Sequence, residues 1–374
     1  MTNAVICAYL RSPFTPAGKG ELAKTRPDDL LAHVIKGLLA KTPINAADLE
    51  DFIVGCAFPE GEQGLNIARL AGFIAGLPLT TGGVTVNRFC GSSMETIHMA
   101  VGKIMSGAGE LFISGGVESM TRIPMGGFNP SPNPNLYESM PNAYVSMGIT
   151  AENLCKKFNI PRKEQEEFAL LSHQKAAKAD MSGEIVPIPV KGGSVTKDGC
   201  IRADASLENM QKLAPAFDAA GTVTAATSSP LTDGAAAVIV ASEDYAKKNN
   251  LPILARIKSM AVSGLAPEIM GLGPVEASRK ALKRAGLELK DIDIIELNEA
   301  FAVQALSVIK ELNVDTSKLN LEGGAIALGH PLGASGARIT GKAALLLNKL
   351  GKKYALATMC IGGGQGIATV LEKL

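Results

Sequence analysis

Short apolar runs recur along the chain with glycine beside them, as in Phe52-Ile53-Val54-Gly55, Leu111 to Gly116, and Leu356 to Met359. Continuous apolar runs closed by turn residues predict strands buried on both faces. Between them the apolar positions switch to helical spacing, as over Ser93 to Met105 and Ala337 to Leu347. Strand and helix alternate, which predicts an α/β fold with helices covering a sheet. No apolar run approaches the roughly 18 residues that a membrane-crossing helix needs.

The pattern repeats. The stretch from Asp48 to Phe58 aligns with the stretch from Asp291 to Phe301. In both, an acidic turn feeds an apolar strand that ends in Ala-Phe, and a second strand follows at nearly equal distance, from Glu110 and from Tyr354. Within each repeat a glycine-containing loop enters a helix: Asn87 to Ser92 in the first, Gly329 to Gly336 in the second. Two similar halves facing each other would bring these loops together. From about Thr121 to Leu213 the rhythm breaks. A segment with Pro130, Pro132, Pro134 and Pro141 leads to a polar helix over Lys163 to Ala179 and irregular strands around Ile185 to Val190. This reads as an insertion into the first half, and long insertions are usually functional. The expected division is 1–120 with 214–250, the insertion 121–213, and 251–374.

Composition narrows the function. Of 374 residues, 37 are basic and 36 acidic, leaving a net charge of +1. No general attraction to nucleic acid or acidic lipid follows. Six cysteines include no C-x-x-C pair, which argues against a zinc or redox centre, and they are too sparse for a disulfide scaffold. A reducing compartment fits. The N-terminal residues form neither a secretion signal nor an Arg-rich transit peptide, so a cytoplasmic location is expected.

Four positions carry candidate chemistry. Cys90 sits between the strand-like Val84 to Val86 and a helix start. Unpaired N–H groups there would stabilise a thiolate and hold an oxyanion, although a buried structural cysteine is the plainer reading. His330, in a loop fixed by two glycines and a proline, can take a proton from a thiol. The other histidines, His33, His98 and His173, fall inside helical patterns and read as packing or surface residues. Cys360 ends a second-half strand ahead of a glycine run. Asn298 ends the other second-half strand, where ligands bind in α/β folds.

Together these residues resemble a known family. Asn87-Arg88-Phe89-Cys90-Gly91-Ser92-Ser93-Met94, Asn298-Glu299-Ala300-Phe301, Gly329-His330-Pro331 and Cys360-Ile361-Gly362 are similar, in order and separation, to the four motifs of thiolases. The resemblance runs from residue 4 to residue 372, and is greatest to bacterial degradative 3-ketoacyl-CoA thiolases. It implies a thiolase-like fold of two βαβαβαββ halves stacked as α-β-α-β-α layers, with an inserted loop domain. It also implies thiolytic cleavage of 3-ketoacyl-CoA in fatty-acid β-oxidation through an acyl-Cys90 intermediate. The alternative is a biosynthetic acetoacetyl-CoA thiolase.

In the roles the resemblance implies, His330 activates Cys90, and the N–H groups of Cys90 and Gly362 hold the oxyanion. His330, with a water on Asn298, stabilises the acetyl-CoA enolate, and Cys360 moves the remaining proton. Ser259 would touch the pantetheine arm of CoA, and Ser146 and Met147 would border the acyl pocket. Ser146 stands where the acetoacetyl-CoA branch has histidine, which favours a broader pocket. The stretch from Val190 to Leu213 is shorter than in the family. Coenzyme A is implied as co-substrate, with no permanent cofactor and no metal. A homodimer or tetramer is implied, with a multifunctional hydratase–dehydrogenase chain as a further partner in some members.

Overall fold

The computed structural model describes residues 2–374. Twelve strands appear among the described residues: β1 (Ala4–Arg11), β2 (Thr15–Pro16), β3 (Asp51–Gly55), β4 (Gly82–Val86), β5 (Leu111–Ser119), β6 (Ile188–Val190), β7 (Gly193–Val195), β8 (Thr232–Ser242), β9 (Ala255–Gly264), β10 (Ile294–Leu297), β11 (Tyr354–Ile361) and β12 (Gln365–Glu372). The expected strands are all present, and β5 and β11 extend past the apolar runs that marked them. The helical patterns become Ser92–Met105, Arg162–Lys178 and Leu332–Leu350.

The strand order is β10-β11-β12-β9-β1-β8-β5-β3-β4, with β2 beside β8. Read outward from the β1/β9 junction, the two sides are the same. In the first half β1 pairs β8 and β8 pairs β5, both antiparallel, then β5 pairs β3 and β3 pairs β4, both parallel. In the second half β9 pairs β12 and β12 pairs β11, both antiparallel, then β11 pairs β10 in parallel. An isolated parallel bridge from Ile295 to Leu319 stands where β4 stands in the first half. Within the sheet the described residues of β1 and β9 join through two register pairs, Val5 with Arg256 and Ile6 with Ala255.

Three apolar clusters divide the molecule into layers. One packs Leu30, Ile35, Ile67 and Ala71 on the outer face of the first sheet, against Val54, Ile113 and Ile239. Another packs Val275, Ala281, Ala305 and Val308 against Ile295, Leu356 and Val370 of the second sheet. The middle one holds the helices Ser92–Met105 and Leu332–Leu350, through Met94, Ile97, Ala337 and Leu347, between Ile53, Phe112 and Val238 on one side and Ile294, Ala355 and Met359 on the other. This is the α-β-α-β-α stack. Each fully buried Leu or Ile contributes about 1.5–3 kcal/mol relative to exposure. The two central helices approach closely enough that a Cβ on Gly336 would lie 2.3 Å from the Met94 backbone nitrogen.

Between β5 and β8 the chain leaves the large sheet. This excursion carries the helices Met147–Phe158 and Arg162–Lys178 and the β6–β7 hairpin. It is tied down by buried charge. Arg11 of β1 pairs with Glu184 at 2.7 Å and grips both oxygens of Asp198 at 2.7 and 2.8 Å. Lys342, on the central helix of the second half, also reaches Glu184, and pairs with Glu322 at 2.7 Å. Removing one partner of such a set leaves a buried charge uncompensated.

Candidate active site

The four candidate residues come from the carboxyl ends of parallel strands and from the two central helix starts. Cys90 follows β4 inside a 3-10 turn, Phe89–Gly91, that runs into the helix Ser92–Met105. Side chains shape the turn. Asn87 Oδ1 accepts the Phe89 N–H at 2.8 Å, and Ser92 Oγ accepts the Arg88 N–H at 2.9 Å while donating to the Phe89 carbonyl at 2.6 Å. Phe89 is held at φ 42°, a left-handed conformation that an aromatic residue seldom adopts. Gly91 lets the turn lie on the end of β11: a Cβ there would be 2.5 Å from Ile361 Cδ1. The first-half loop that carries Cys90 is thus seated against the second-half strand that carries Cys360.

His330 lies between the short helix Ala325–Leu328 and the helix Leu332–Leu350. Its Nδ1 is 2.5 Å from Ser335 Oγ, and Ser335 gives its own hydrogen to the Pro331 carbonyl at 2.9 Å. Nδ1 therefore carries the proton, and Nε2 presents a lone pair. Asn298 Nδ2 faces that lone pair at 3.3 Å. The Asn298 backbone N–H donates to Thr358 at 3.0 Å, which locks it beside β11. Its Oδ1 is buried and accepts no hydrogen bond from the protein, so it is open to a donor from outside.

The charge states differ from those the sequence suggests. Burial pushes the Cys90 thiol up to about 11, although the N–H groups of Gly362 and of Cys90 itself point at it and pull the other way. Desolvation outweighs the helix-start effect because the turn is enclosed by protein on most sides. The Cys360 thiol is raised further, by burial and then by the neighbouring Cys90. His330 is lowered to about 3, by burial first and then by Arg338. The resting site is therefore a neutral thiol, a neutral imidazole and a second neutral thiol.

Two backbone N–H groups converge on the first thiol, a preformed pair of donors for an oxyanion. Gly362 leaves the space before Cys90 open: a Cβ there would meet Met147 Sδ at 3.5 Å and Phe89 Cδ2 at 3.8 Å. Met147 thus stands at the site. Ser146 is exposed at the start of the Met147–Phe158 helix, and its hydroxyl makes no capping bond. Ser259 stands apart from these residues. It lies on β9 opposite Val370, whereas Ser263 stands opposite Gly366, which itself pairs with Cys360. Four residues of strand, about 13 Å, separate Ser259 from the level of Cys360. Its hydroxyl donates to the Ala281 carbonyl at 2.6 Å, so it is occupied by the outer helix of its own half.

Other residues matter that the sequence reading passed over. Ser335 fixes the His330 tautomer; a serine four residues after Pro331 at a helix start was the available sign. Glu299 is buried and accepts bonds from Ser172 Oγ and Asn320 Nδ2, each at 2.7 Å, fastening the insertion to the loop ahead of His330. His173, expected to be a packing residue, accepts the Arg202 N–H at 3.2 Å and lines a cavity of about 390 Å³ with Cys200, Arg202, Asn209 and Met210. Cys200 reaches the His330 loop, where a Cβ on Gly329 would lie 3.2 Å from its sulfur. Among the described residues no cluster of metal-ligating side chains occurs, and no helix is long and apolar enough to cross a membrane.

Comparison with known proteins agrees with this architecture. Residues 4–244 match the family described as Thiolase, N-terminal domain, and residues 251–373 match Thiolase, C-terminal domain. The chain is 45% identical to a 3-ketoacyl-CoA thiolase of Bacillus subtilis (strain 168), with all of both chains covered. It is 49% identical to one of Aliivibrio fischeri (strain ATCC 700601 / ES114) and 48% identical to one of Pseudoalteromonas translucida (strain TAC 125), again with all of both chains covered. A five-layer stack of two like halves, with a thiol from one and an imidazole from the other, is thus matched along its length by relatives of one kind, and the chain belongs to the thiolase family.

Proposed function

We infer that the protein cleaves 3-ketoacyl-CoA with CoA, giving acetyl-CoA and a shortened acyl-CoA. The observation that carries this is the convergence of the Cys90 and Gly362 N–H groups on a thiol that has a second thiol beside it. His330 Nε2 takes the Cys90 proton as sulfur bonds to the 3-keto carbon, and the two N–H groups hold the resulting oxyanion. The C2–C3 bond then breaks. Its electron pair passes into an acetyl-CoA enolate steadied by His330 and by a water on Asn298, and Cys360 protonates C2. The resulting Cys360 thiolate accepts the proton of incoming CoA, which attacks the acyl-Cys90 thioester. Cys90 departs and recovers its proton from His330. Two oxyanion sites are required because negative charge develops on two different oxygens.

The insertion, residues 121–213, is read as the part that binds CoA, next to the first half (1–120 and 214–250) and the second half (251–374). The cavity beside the His330 loop suits a phosphorylated ligand, because Arg202 is exposed at its rim and Met210 supplies an apolar wall. Met147 and Phe89 border the acyl side. All six cysteines are free, which supports a reducing, cytoplasmic setting. The test is CoA-dependent cleavage of 3-ketoacyl-CoA substrates from C4 upward. Turnover of several chain lengths is expected, as β-oxidation requires; turnover of the C4 substrate alone would move the assignment to acetoacetyl-CoA thiolysis. The relatives' shared name does not favour that alternative.

The protein acts as an oligomer of its own chain in this reading. Strand β4 is a sheet edge with no Lys or Pro to blunt it, and Leu65 and Leu79 nearby are 91% and 79% exposed. A second copy, rather than a hydratase–dehydrogenase chain, is the favoured occupant, because two identical edges pair by symmetry. Sedimentation velocity should give at least twice the chain mass at micromolar concentration, and a monomer would refute it.

A further inference from the structure

One buried carboxylate joins the loop that carries the nucleophile to the loop that carries the base. Glu118, near the end of β5, is 1% exposed. Its Oε2 accepts the Ala57 N–H and the Gly333 N–H, each at 2.8 Å. Its Oε1 accepts Gln63 Nε2 at 2.8 Å and the Phe58 N–H at 3.2 Å, with the Cys56 thiol at 3.6 Å. No cation pairs with it among the described residues. A buried carboxylate without a cation is costly, and it persists only where its hydrogen bonds are otherwise needed. Burial raises the Glu118 carboxyl above its usual range, while the donors around it, the Ala57, Gly333 and Phe58 N–H groups and the Gln63 amide, favour the carboxylate.

The two ends of this arrangement lie on opposite halves. Ala57 in turn accepts Asn87 Nδ2 at 3.0 Å, and Asn87 shapes the turn in front of Cys90. Gly333 lies three residues after His330, in the first turn of its helix. A single side chain thus spans the interface between the two halves. Gly333 can approach only because it lacks a side chain: a Cβ there would be 2.8 Å from Glu118 Oε2.

We propose that Glu118 is a positioning residue that sets the separation of Cys90 and His330 by clamping the Ala57 and Gly333 backbones together. The proposal rests on the thiolase reading of Cys90 and His330. The same carboxylate bears on the nucleophile through charge, since its proximity helps raise the Cys90 thiol, after burial. Reach and charge can therefore be separated. Glu118→Asp keeps the charge but is one methylene short of Gly333; Glu118→Gln keeps the reach but loses the charge and sets an NH2 against donors.

The experiment compares both variants with the intact protein for thiolysis and for the pH dependence of Cys90 alkylation, followed by peptide mass. Cys90→Ala runs alongside. A misplacement of about 1 Å between reacting groups costs on the order of 100-fold. Glu118→Asp should lose roughly 10- to 100-fold in kcat with KM within about threefold, and its alkylation profile should stay near that of the intact protein. Glu118→Gln should lose turnover as well, yet be alkylated faster at pH 8, because removing a neighbouring negative charge makes the thiol more acidic. If Glu118→Gln does not fold, the kcat-against-KM split of Glu118→Asp decides. Turnover within threefold of the intact protein in a folded variant overturns the clamp. So does a loss of turnover in Glu118→Gln with an unchanged alkylation profile, which would mark a structural role only. Cleavage surviving in Cys90→Ala would instead sink the reading of the site itself, whatever the Glu118 variants do.

Discussion

Cys90→Ala should abolish thiolysis, lowering kcat by ~10⁴-fold or more while leaving the thermal unfolding midpoint nearly unchanged. The fold loses little, because Cys90 is partly exposed, and deleting one sulfur from a turn opens no cavity in the core. The chemistry loses everything specific to it. Without sulfur no acyl-enzyme forms, and cleavage of the C2–C3 bond would need water or CoA to attack a ketone directly. The Gly362 N–H and the neutral imidazole remain, so residual rate enhancement comes only from binding and oxyanion stabilisation. Mass spectrometry supplies the second measurement: the intact protein mixed with 3-ketoacyl-CoA and no free CoA should gain one acyl group on the Cys90 peptide. An acyl group found on Cys360 instead would reverse the roles of the two thiols.

His330→Ala should lower kcat by about 10³-fold, in the range of a lost general base. Part of that loss should return as pH rises. The Cys90 thiol sits at about 11 and His330 at about 3, so between those values both are neutral and the thiolate is scarce. A raised thiol value means that the thiolate fraction grows about tenfold per pH unit below it. Alkylation of Cys90 in the intact protein should therefore keep climbing from pH 6 to pH 9. In His330→Ala, thiolysis should climb over the same range, because solvent base replaces the imidazole. A plateau in alkylation below pH 7 would show a thiolate–imidazolium pair at rest and sink this description of the site.

The architecture was legible because period and repetition are properties of the sequence itself. The runs at Phe52 and Leu111, the helical spacing after Ser92, and the recurrence of an acidic turn before an Ala-Phe end all survive in the folded chain. The site was legible for a related reason. Cys90, Asn298, His330 and Cys360 occupy strand ends and helix starts, positions that glycine and proline announce. The charge states were not legible. A helix start suggested an acidic thiol at Cys90, but how far a turn is desolvated depends on what packs over it. The register of Ser259 was not legible either: it lies on β9 four residues from Ser263, which is level with Cys360, and its hydroxyl donates to the Ala281 carbonyl. Glu118 was invisible because a single acidic residue near a strand end looks like a solvated one until the other half of the molecule covers it.

The join between the two halves has a consequence for the order in which the protein is made. Strand β8, which completes the first sheet, ends at Ser242. A growing chain that has emerged as far as residue 250 therefore holds every strand of that sheet, Cys90, and the carboxylate of Glu118. It still lacks Asn298, His330, Cys360 and the Gly362 N–H. It also lacks Lys342, so Glu184 has only Arg11 to meet its charge. Cys90 is thus synthesised well before His330, Cys360 and the Gly362 N–H, the groups that surround it in the folded chain. The four candidate residues come together only when the second half of the chain has folded onto the first.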